Sequence, residues 1–508
     1  MAAVQLQRSS TWRLSDAALK SLGSSIRIPS YNRAKVTPGI LHVGLGNFHR
    51  AHMATYMDDL LDKDASQHNW GILGGGVMSF DVDKRDMLET QDWLQVLVER
   101  DGDTAEARVI GSMVDFCPVD LYTHTPLKRA FLNPNIKIAS LTVTESGYFL
   151  NPNTGKFDPN NHHIVKDLEN PDHPSTIFGI MIQALQKRKE SAVAPFTIMS
   201  CDNVPENGHV CKEVTLGMAR MTDPYMADWI EENVQFPNSM VDRITPATSD
   251  LERDYLIDQF GVEDAFPVFC EPFRQWVLED KFSNGRPDLD QVGVQFVEDV
   301  HPFENMKIRI LNGGHASLVY PSALLGVKYV HDAMEHAPIR AFLDALEVNE
   351  IIPTVGPVPE TNLADYWKII AGRFSNPTMN DTIHRNAYDG SSRQPKFVIP
   401  VLKDNLKAGR SVDGLAIVSA MWCRYCQGTT EAGSILAPHD PHWDRLHQTA
   451  LAAKKNPQCW LDMTDIYGET GQHPLMKEAF AKAMHLIETR GIEATLGAYS
   501  STRPGVIV

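Results

Sequence analysis

The chain has 508 residues, more than one hydrophobic core usually organises, so at least two domains are expected. An apolar share of 43% is that of a globular protein in water, and no run approaches the ~18 uncharged apolar residues of a transmembrane helix. A formal charge of −17 argues against a nucleic-acid or anionic-membrane partner.

Residues 1–33 are basic (Arg8, Arg13, Lys20, Arg27 and Arg33 against Asp16), a composition shared with transit peptides. Leu14 to Leu22 with Ile26, Ile28 and Pro29 nevertheless reads as a short helix and an extended strand entering the first domain, and structure is preferred over targeting. The C-terminal Arg503–Val508 matches no anchor or retention signal. The seven cysteines are dispersed, which points to reduced thiols and a cytoplasmic location. Cys423-x-x-Cys426 lies in an apolar helical pattern and reads as packing, not redox chemistry.

The first apolar run, Gly39–Val43, leads into Gly44-Leu45-Gly46-Asn47-Phe48-His49-Arg50-Ala51-His52. Met53 to Leu61 then reads as a helix with Met57, Leu60 and Leu61 inward. Strand, Gly-x-Gly turn and helix open a dinucleotide-binding unit, in which glycines admit close approach of a pyrophosphate to backbone N–H groups. Gly44, Gly46, Asn47 and Phe48 are the candidate cofactor contacts. His49 stands where the usual third glycine would, and a lone Gly-x-Gly is not specific. The second strand, Trp70–Leu73, runs into Gly74–Val77. Asp81 follows where an acid would hold the adenosine ribose of NAD; alternatively Asp81 and Asp83 cap a helix beginning near Lys84.

Leu94–Val98 and Arg108–Ile110 read as further strands. Lys137–Thr144 is the clearest buried strand and delivers Glu145 to a carboxyl end, where open α/β sheets bind ligands. A helix over Ile180–Lys189 precedes the strand Phe196–Ser200, after which Asn203 would face the crevice or simply form a turn. Asn238–Pro246 is extended and carries Asp242 and Arg243. Val268–Val277 is again sheet-like.

His301-Pro302-Phe303-Glu304 leads into Met306-Lys307-Ile308-Arg309-Ile310-Leu311-Asn312-Gly313-Gly314-His315. On an α-helical wheel Lys307, Asn312 and His315 fall at roughly 0°, 140° and 80°, one broad face bearing a potential base, an amide donor and an imidazole. Burial and a neighbouring cation could bring Lys307 down from ~10.4 into base range. The plain alternative is a surface lysine, a turn asparagine and a capping histidine. Beyond this point the pattern is helical, with candidate helices at 337–349, 361–373, 412–427, 441–454 and 474–489. Arg385 and Arg393 lie between these helices and could reach a polyhydroxylated substrate. The reading is an α/β Rossmann-type dinucleotide-binding domain over 1–300 and a mostly α-helical substrate-binding and catalytic domain over 301–508.

Taken together, Lys307-x4-Asn312-x2-His315, the Gly44–His52 loop, Thr144-Glu145-Ser146-Gly147-Tyr148, Ser200-Cys201-Asp202-Asn203, Val241–Pro246 and Asp389–Arg393 resemble, in order, the motifs of the polyol-specific long-chain dehydrogenases, the mannitol 2-dehydrogenase family. The resemblance spans roughly residues 30 to 490. It implies a Rossmann-type domain followed by a helical one, an NAD-dependent interconversion of D-mannitol and D-fructose without metal, and a monomer. It also implies Lys307 as general base, Asn312 and Asn203 as donors to the substrate oxygen and His315 as its orienter. Asp242, Arg385 and Arg393 would bind substrate hydroxyls, and Glu304 and Glu145 would line a proton route. Met78-Ser79-Phe80-Asp81 keeps one acid where relatives can carry two, which favours NAD and leaves NADP open. Related readings are a D-arabinitol or D-sorbitol dehydrogenase, or a hexuronate reductase whose carboxylate Arg385 and Arg393 would hold. Readings of other classes are a non-catalytic dinucleotide-binding protein and, more weakly, a zinc alcohol dehydrogenase, for which no compact Cys/His set is evident.

Overall fold

Five short runs of apolar and β-branched residues build the central sheet: β1 (Pro38–Val43), β2 (Gly71–Gly75), β3 (Met113–Phe116), β4 (Ile138–Leu141) and β5 (Thr197–Ser200). Their order is β3-β2-β1-β4-β5 and every pairing is parallel. Parallel neighbours need crossover helices, which cover both faces, so β2, β4 and β5 are buried at every residue. Alternation along the strands splits the core. Leu41, Ala139 and Ile198 pack under the helices Ile177–Glu190 and Asn207–Thr222. Ile40, Ile138 and Met199 pack under the helix Met53–Lys63 and Trp276. The strand order reverses between β1 and β4, and the carboxyl ends there form the crevice in which such sheets bind ligands.

The structure, a computed structural model, describes residues 11–151, 154–503 and 505. The chain divides into two compact units at Val300/His301. In the first, Gln95–Asp101 and Thr104–Ile110 do form strands, but as an antiparallel hairpin in a separate sheet with Val268–Cys270 and Ile26–Arg27. A third sheet joins Ser239–Asp242, Gln275–Glu279 and Gln295–Val297. The helix expected over Leu14–Leu22 is a single 3-10 turn, Leu19–Ser21.

The second unit is helical. Its hub, Gly313–Leu324, is buried at every residue but Ala323, which is why the segment is apolar all round. Asp413–Tyr425 and Ile383–Ala387 pack against it, and Pro474–Arg490 packs outside Asp413–Tyr425. Ala337–Leu346, Leu363–Phe374 and Trp443–Ala453 also appear near their expected places. Gly390–Phe397 and Ile399–Lys407 are helices that the sequence pattern does not announce, and each contains a proline. Among the described residues no helix is long and apolar enough to cross a membrane.

Candidate active site

In the first unit the site begins where β1 meets the glycine turn. Gly44 has φ +101°, and a Cβ there would lie 2.0 Å from Thr142 O, so only glycine lets the ends of β1 and β4 close up. A Cβ on Gly46 would meet nothing nearer than 3.9 Å. That open backbone fits the approach of a dinucleotide pyrophosphate. The helix Asn47–Ala51 follows and breaks at His52 (φ −111°, ψ −89°). Asn47 donates from Nδ2 to Pro246 O at 3.0 Å and accepts from Arg50 Nη2 at 2.7 Å, tying the turn to the loop after Asp242. Phe48 stacks on His52, with ring centroids 4.8 Å apart.

His49, in the place of the third glycine, is buried and stacks on His42 at 3.4 Å and 12°. The paired rings provide the close helix–strand contact that a glycine would otherwise allow. Burial pushes His42 down to about 3 and His49 well below its ordinary value, so both are neutral.

Asp81 is buried in the first turn of Phe80–Glu89. Its Oδ2 accepts from Val77 N (3.1 Å) and Met78 N (3.0 Å), and its Oδ1 lies 3.5 Å from Lys84 Nζ. Asp81 therefore shapes the loop after β2 and does not cap the following helix, while Asp83 is exposed.

Three more expected residues lie at strand ends. Glu145 is exposed after β4, next to Thr144 with φ 67° and ψ 166°, a backbone state costing about 1–3 kcal/mol for a non-glycine. Asn203 is exposed after β5. Asp242 is buried at the end of Ser239–Asp242. Its neighbour Arg243 ties backbone segments together, donating to Glu271 O at 3.0 Å and Ala51 O at 2.6 Å and pairing with Glu99.

In the second unit one continuous helix changes register at the expected residues. His301–Met306 is α-helical, Lys307–Asn312 is π-helical, and Gly313–Leu324 is α-helical again. The Gly313 N–H reaches back to Ile308 O, the five-residue bond of a π-turn. The α-wheel placement of Asn312 is thereby corrected: the wider π-turn brings Asn312 closer to the face of Lys307 than α-helical spacing would. Lys307 and Glu304 are buried, and Asn312 Oδ1 is buried with no hydrogen-bond partner among the described residues.

His315 is buried against Phe374, ring centroids 4.0 Å apart, with Nε2 3.8 Å from Asp381 Oδ2. Burial lowers it to about 4; Asp381 opposes that, while Arg393, Arg373 and Arg385 add to it. Arg385 is mostly exposed and donates to Asp381 Oδ1 at 2.9 Å. Arg393 is more enclosed, and burial lowers its pKa. The helix carrying it starts at Gly390, where a Cβ would lie 2.4 Å from Tyr320 Oη and 2.6 Å from Trp422 Nε1. Asp381, which links Arg385 to the surroundings of His315, is not among the residues the sequence singles out, because no local pattern marks it.

The chain is similar to known proteins along nearly its whole length. The family model described as the mannitol dehydrogenase Rossmann domain matches residues 38–291, and the mannitol dehydrogenase C-terminal domain matches 299–488. A mannitol 2-dehydrogenase of Cereibacter sphaeroides is 50% identical over 472 residues, 93% of this chain and 98% of its own. The solved Pseudomonas fluorescens mannitol 2-dehydrogenase, a ternary complex with NAD and D-mannitol, is 38% identical over 97% of this chain and 100% of its own, with a TM-score of 0.83. A solved D-sorbitol dehydrogenase in substrate-free form is 34% identical over 95% of this chain and 100% of its own, with a TM-score of 0.89. With its two family domains in order and relatives matched along nearly their whole length, the chain belongs to the mannitol dehydrogenase family.

Proposed function

We propose that this protein is a metal-independent, NAD-dependent oxidoreductase that interconverts D-mannitol and D-fructose. The observation that supports the proposal is the π-turn over Lys307–Asn312, which begins at the buried Lys307 and ends at Asn312. An alcohol being oxidised loses its hydroxyl proton while its oxygen becomes alkoxide-like. Lys307 takes that proton. Asn312 and Asn203 donate to the oxygen, each such donor supplying about 2.7–4 kcal/mol in the transition state. His315, neutral above about pH 5 because burial holds its pKa to about 4, orients the oxygen without adding a cation. Asp242, Arg385 and Arg393 bind the remaining hydroxyls, and Glu304 and Glu145 pass the proton between Lys307 and water. Gly44, Gly46, Asn47 and Phe48 hold the dinucleotide, with Asp81 at its adenosine ribose; NAD, when bound, is the hydride acceptor.

The likeness to the solved D-sorbitol dehydrogenase supports a second reading, in which D-sorbitol is the preferred polyol. Initial rates over D-mannitol, D-sorbitol, D-arabinitol, D-fructose and a keto-hexuronate, each with NAD(H) and NADP(H), test both. The first reading expects the highest kcat/KM for D-mannitol with NAD and for D-fructose with NADH. A higher value for D-sorbitol moves the assignment to the second, and no turnover on any of them defeats both.

A further inference from the structure

Thr144 is held in a backbone conformation that β-branched residues avoid, φ 67° and ψ 166°, and such residues persist only where their surroundings over-determine them. Thr144 O accepts from Gly147 N at 3.0 Å and its Oγ1 is 3.1 Å from Ser146 Oγ, and a carboxylate holds its N–H. The buried carboxylate of Asp202 accepts the Val143 N–H at 2.9 Å and the Tyr148 O–H at 2.6 Å on Oδ2. Its Oδ1 accepts the Thr144 N–H at 2.9 Å. Tyr148 Oη is also 2.6 Å from Ser200 Oγ. Burial raises the Asp202 pKa, and the three donors act against that rise.

The backbone of Asp202 is held from the other side. Asn207 Nδ2 donates to Asp202 O at 3.0 Å and to Ser239 O at 2.8 Å, and Asn207 Oδ1 accepts the Ser239 N–H at 2.9 Å. Ser239 Oγ donates to Ser200 O at 2.6 Å. Glu145 follows Thr144, Asn203 follows Asp202, and Asp242 ends the strand that Ser239 begins. One connected set of hydrogen bonds therefore fixes the backbone beside three residues of the candidate site.

We propose that Asp202 is a positioning residue: its carboxylate locks Thr144 in its positive-φ turn and so sets where Asn203 is presented. This rests on the reading that Asn203 donates to the substrate oxygen. The chemistry requires a carboxylate. Two backbone N–H groups point at two different oxygens, so both atoms must accept. In Asp202→Asn one becomes an NH2 group facing either Val143 N–H or Thr144 N–H, while size and packing are kept. The opposed donors separate, and Thr144 relaxes toward an ordinary conformation.

The test is a double-mutant cycle in the full-length protein with NAD and D-mannitol. Asp202→Asn should lower kcat by about 10- to 100-fold, the effect of displacing reacting groups by about 1 Å, with the Kd for NAD unchanged. On an Asn203→Ala background the same substitution should cost less than about threefold, because the donor it positions is already gone. An equal loss on both backgrounds, or none in the single variant, overturns the proposal. Asn203→Ala turning over at the wild-type rate overturns the underlying role of Asn203 instead, so the two failures are told apart. Should Asp202→Asn not fold, Asp202→Glu, which keeps the charge but moves both oxygens away from the Val143 and Thr144 N–H groups by one methylene, enters the same cycle. A loss of at least about threefold that disappears on Asn203→Ala supports the proposal, and an unchanged kcat overturns it.

Discussion

Burying an amine and burying an imidazole on one helix have different consequences for the pH dependence of the reaction. His315 is held down to about 4, so its titration lies below the neutral range. Under the proposed chemistry the rate of polyol oxidation should then rise with pH to a plateau as the base gives up its proton. Lys307→Ala should lower kcat at least ~10²-fold, abolish that rise and leave NAD affinity intact. Small primary amines should restore part of the rate. Steady-state kinetics between pH 6 and 10 measure all of this, and a variant with near wild-type turnover and the same profile would contradict the role of Lys307. Glu347 makes a stability prediction of its own. It is fully buried, neither carboxyl oxygen has a hydrogen-bond partner among the described residues, and burial, with Asp344 nearby, pushes its pKa well up. The folded state thus keeps a proton that the unfolded chain loses near ~4.3. Folded protein binding more protons means that this group's contribution to stability falls as pH rises from there to the folded pKa. Glu347→Gln removes that loss. Its urea midpoint relative to wild type should climb with pH across this window; a pH-independent difference would show a carboxyl that is already ionised in the fold.

Helix identity matters less than helix register in this protein. Gly390 opens the helix that carries Arg393, and its missing Cβ leaves room for Tyr320 and Trp422, both fully buried. Gly390→Ala should therefore destabilise by about 1–3 kcal/mol through overpacking, against the ~1 kcal/mol that alanine's better helix propensity would suggest. If Arg393 binds substrate hydroxyls, the displaced helix should raise KM more than it lowers kcat, which thermal melts and kinetics together would check. The same distinction explains what the sequence discloses. Local signals are legible: the Gly44–Gly46 turn after an apolar run, the buried run ending at Glu145, and Lys307, Asn312 and His315 on one helix. The π-turn is not, because it differs from an α-helix by a hydrogen-bond register that no residue type encodes, and the wheel set Asn312 too far round. The strand β3 is four residues long with an acid inside, and the Gln95–Ile110 hairpin shows no sign of belonging to a second sheet. The work of Asp202 is invisible for another reason: its carboxylate partners lie 54 to 59 residues away.

At the scale of the whole molecule the question is what polarises the substrate oxygen. Zinc dehydrogenases use a Lewis acid, which needs several nitrogen or sulfur donors converging on one point. The chain has 19 histidines and seven cysteines, so the raw material is plentiful. Several of these side chains are engaged elsewhere. His42 and His49 stack face to face within 12° of parallel, which directs their ring nitrogens side by side and not toward a shared centre. His42 Nδ1 is moreover 2.8 Å from Ser140 Oγ, and His52 Nε2 is 2.8 Å from Gln275 O. All seven cysteines are free, and burial pushes the thiols of Cys117 and Cys270 up to about 12, against the thiolate a metal would want. Among the described residues no three His, Cys, Asp or Glu stand together so as to hold a metal ion. Under the proposed chemistry, charge development is met by the amides of Asn312 and Asn203 and by proton loss to Lys307. Exhaustive dialysis against a chelator should leave kcat for D-mannitol oxidation unchanged, and elemental analysis of the active protein should find no stoichiometric zinc. Zinc bound one to one, with activity lost on its removal and recovered on its return, would replace the lysine base with a Lewis acid and reassign both asparagines.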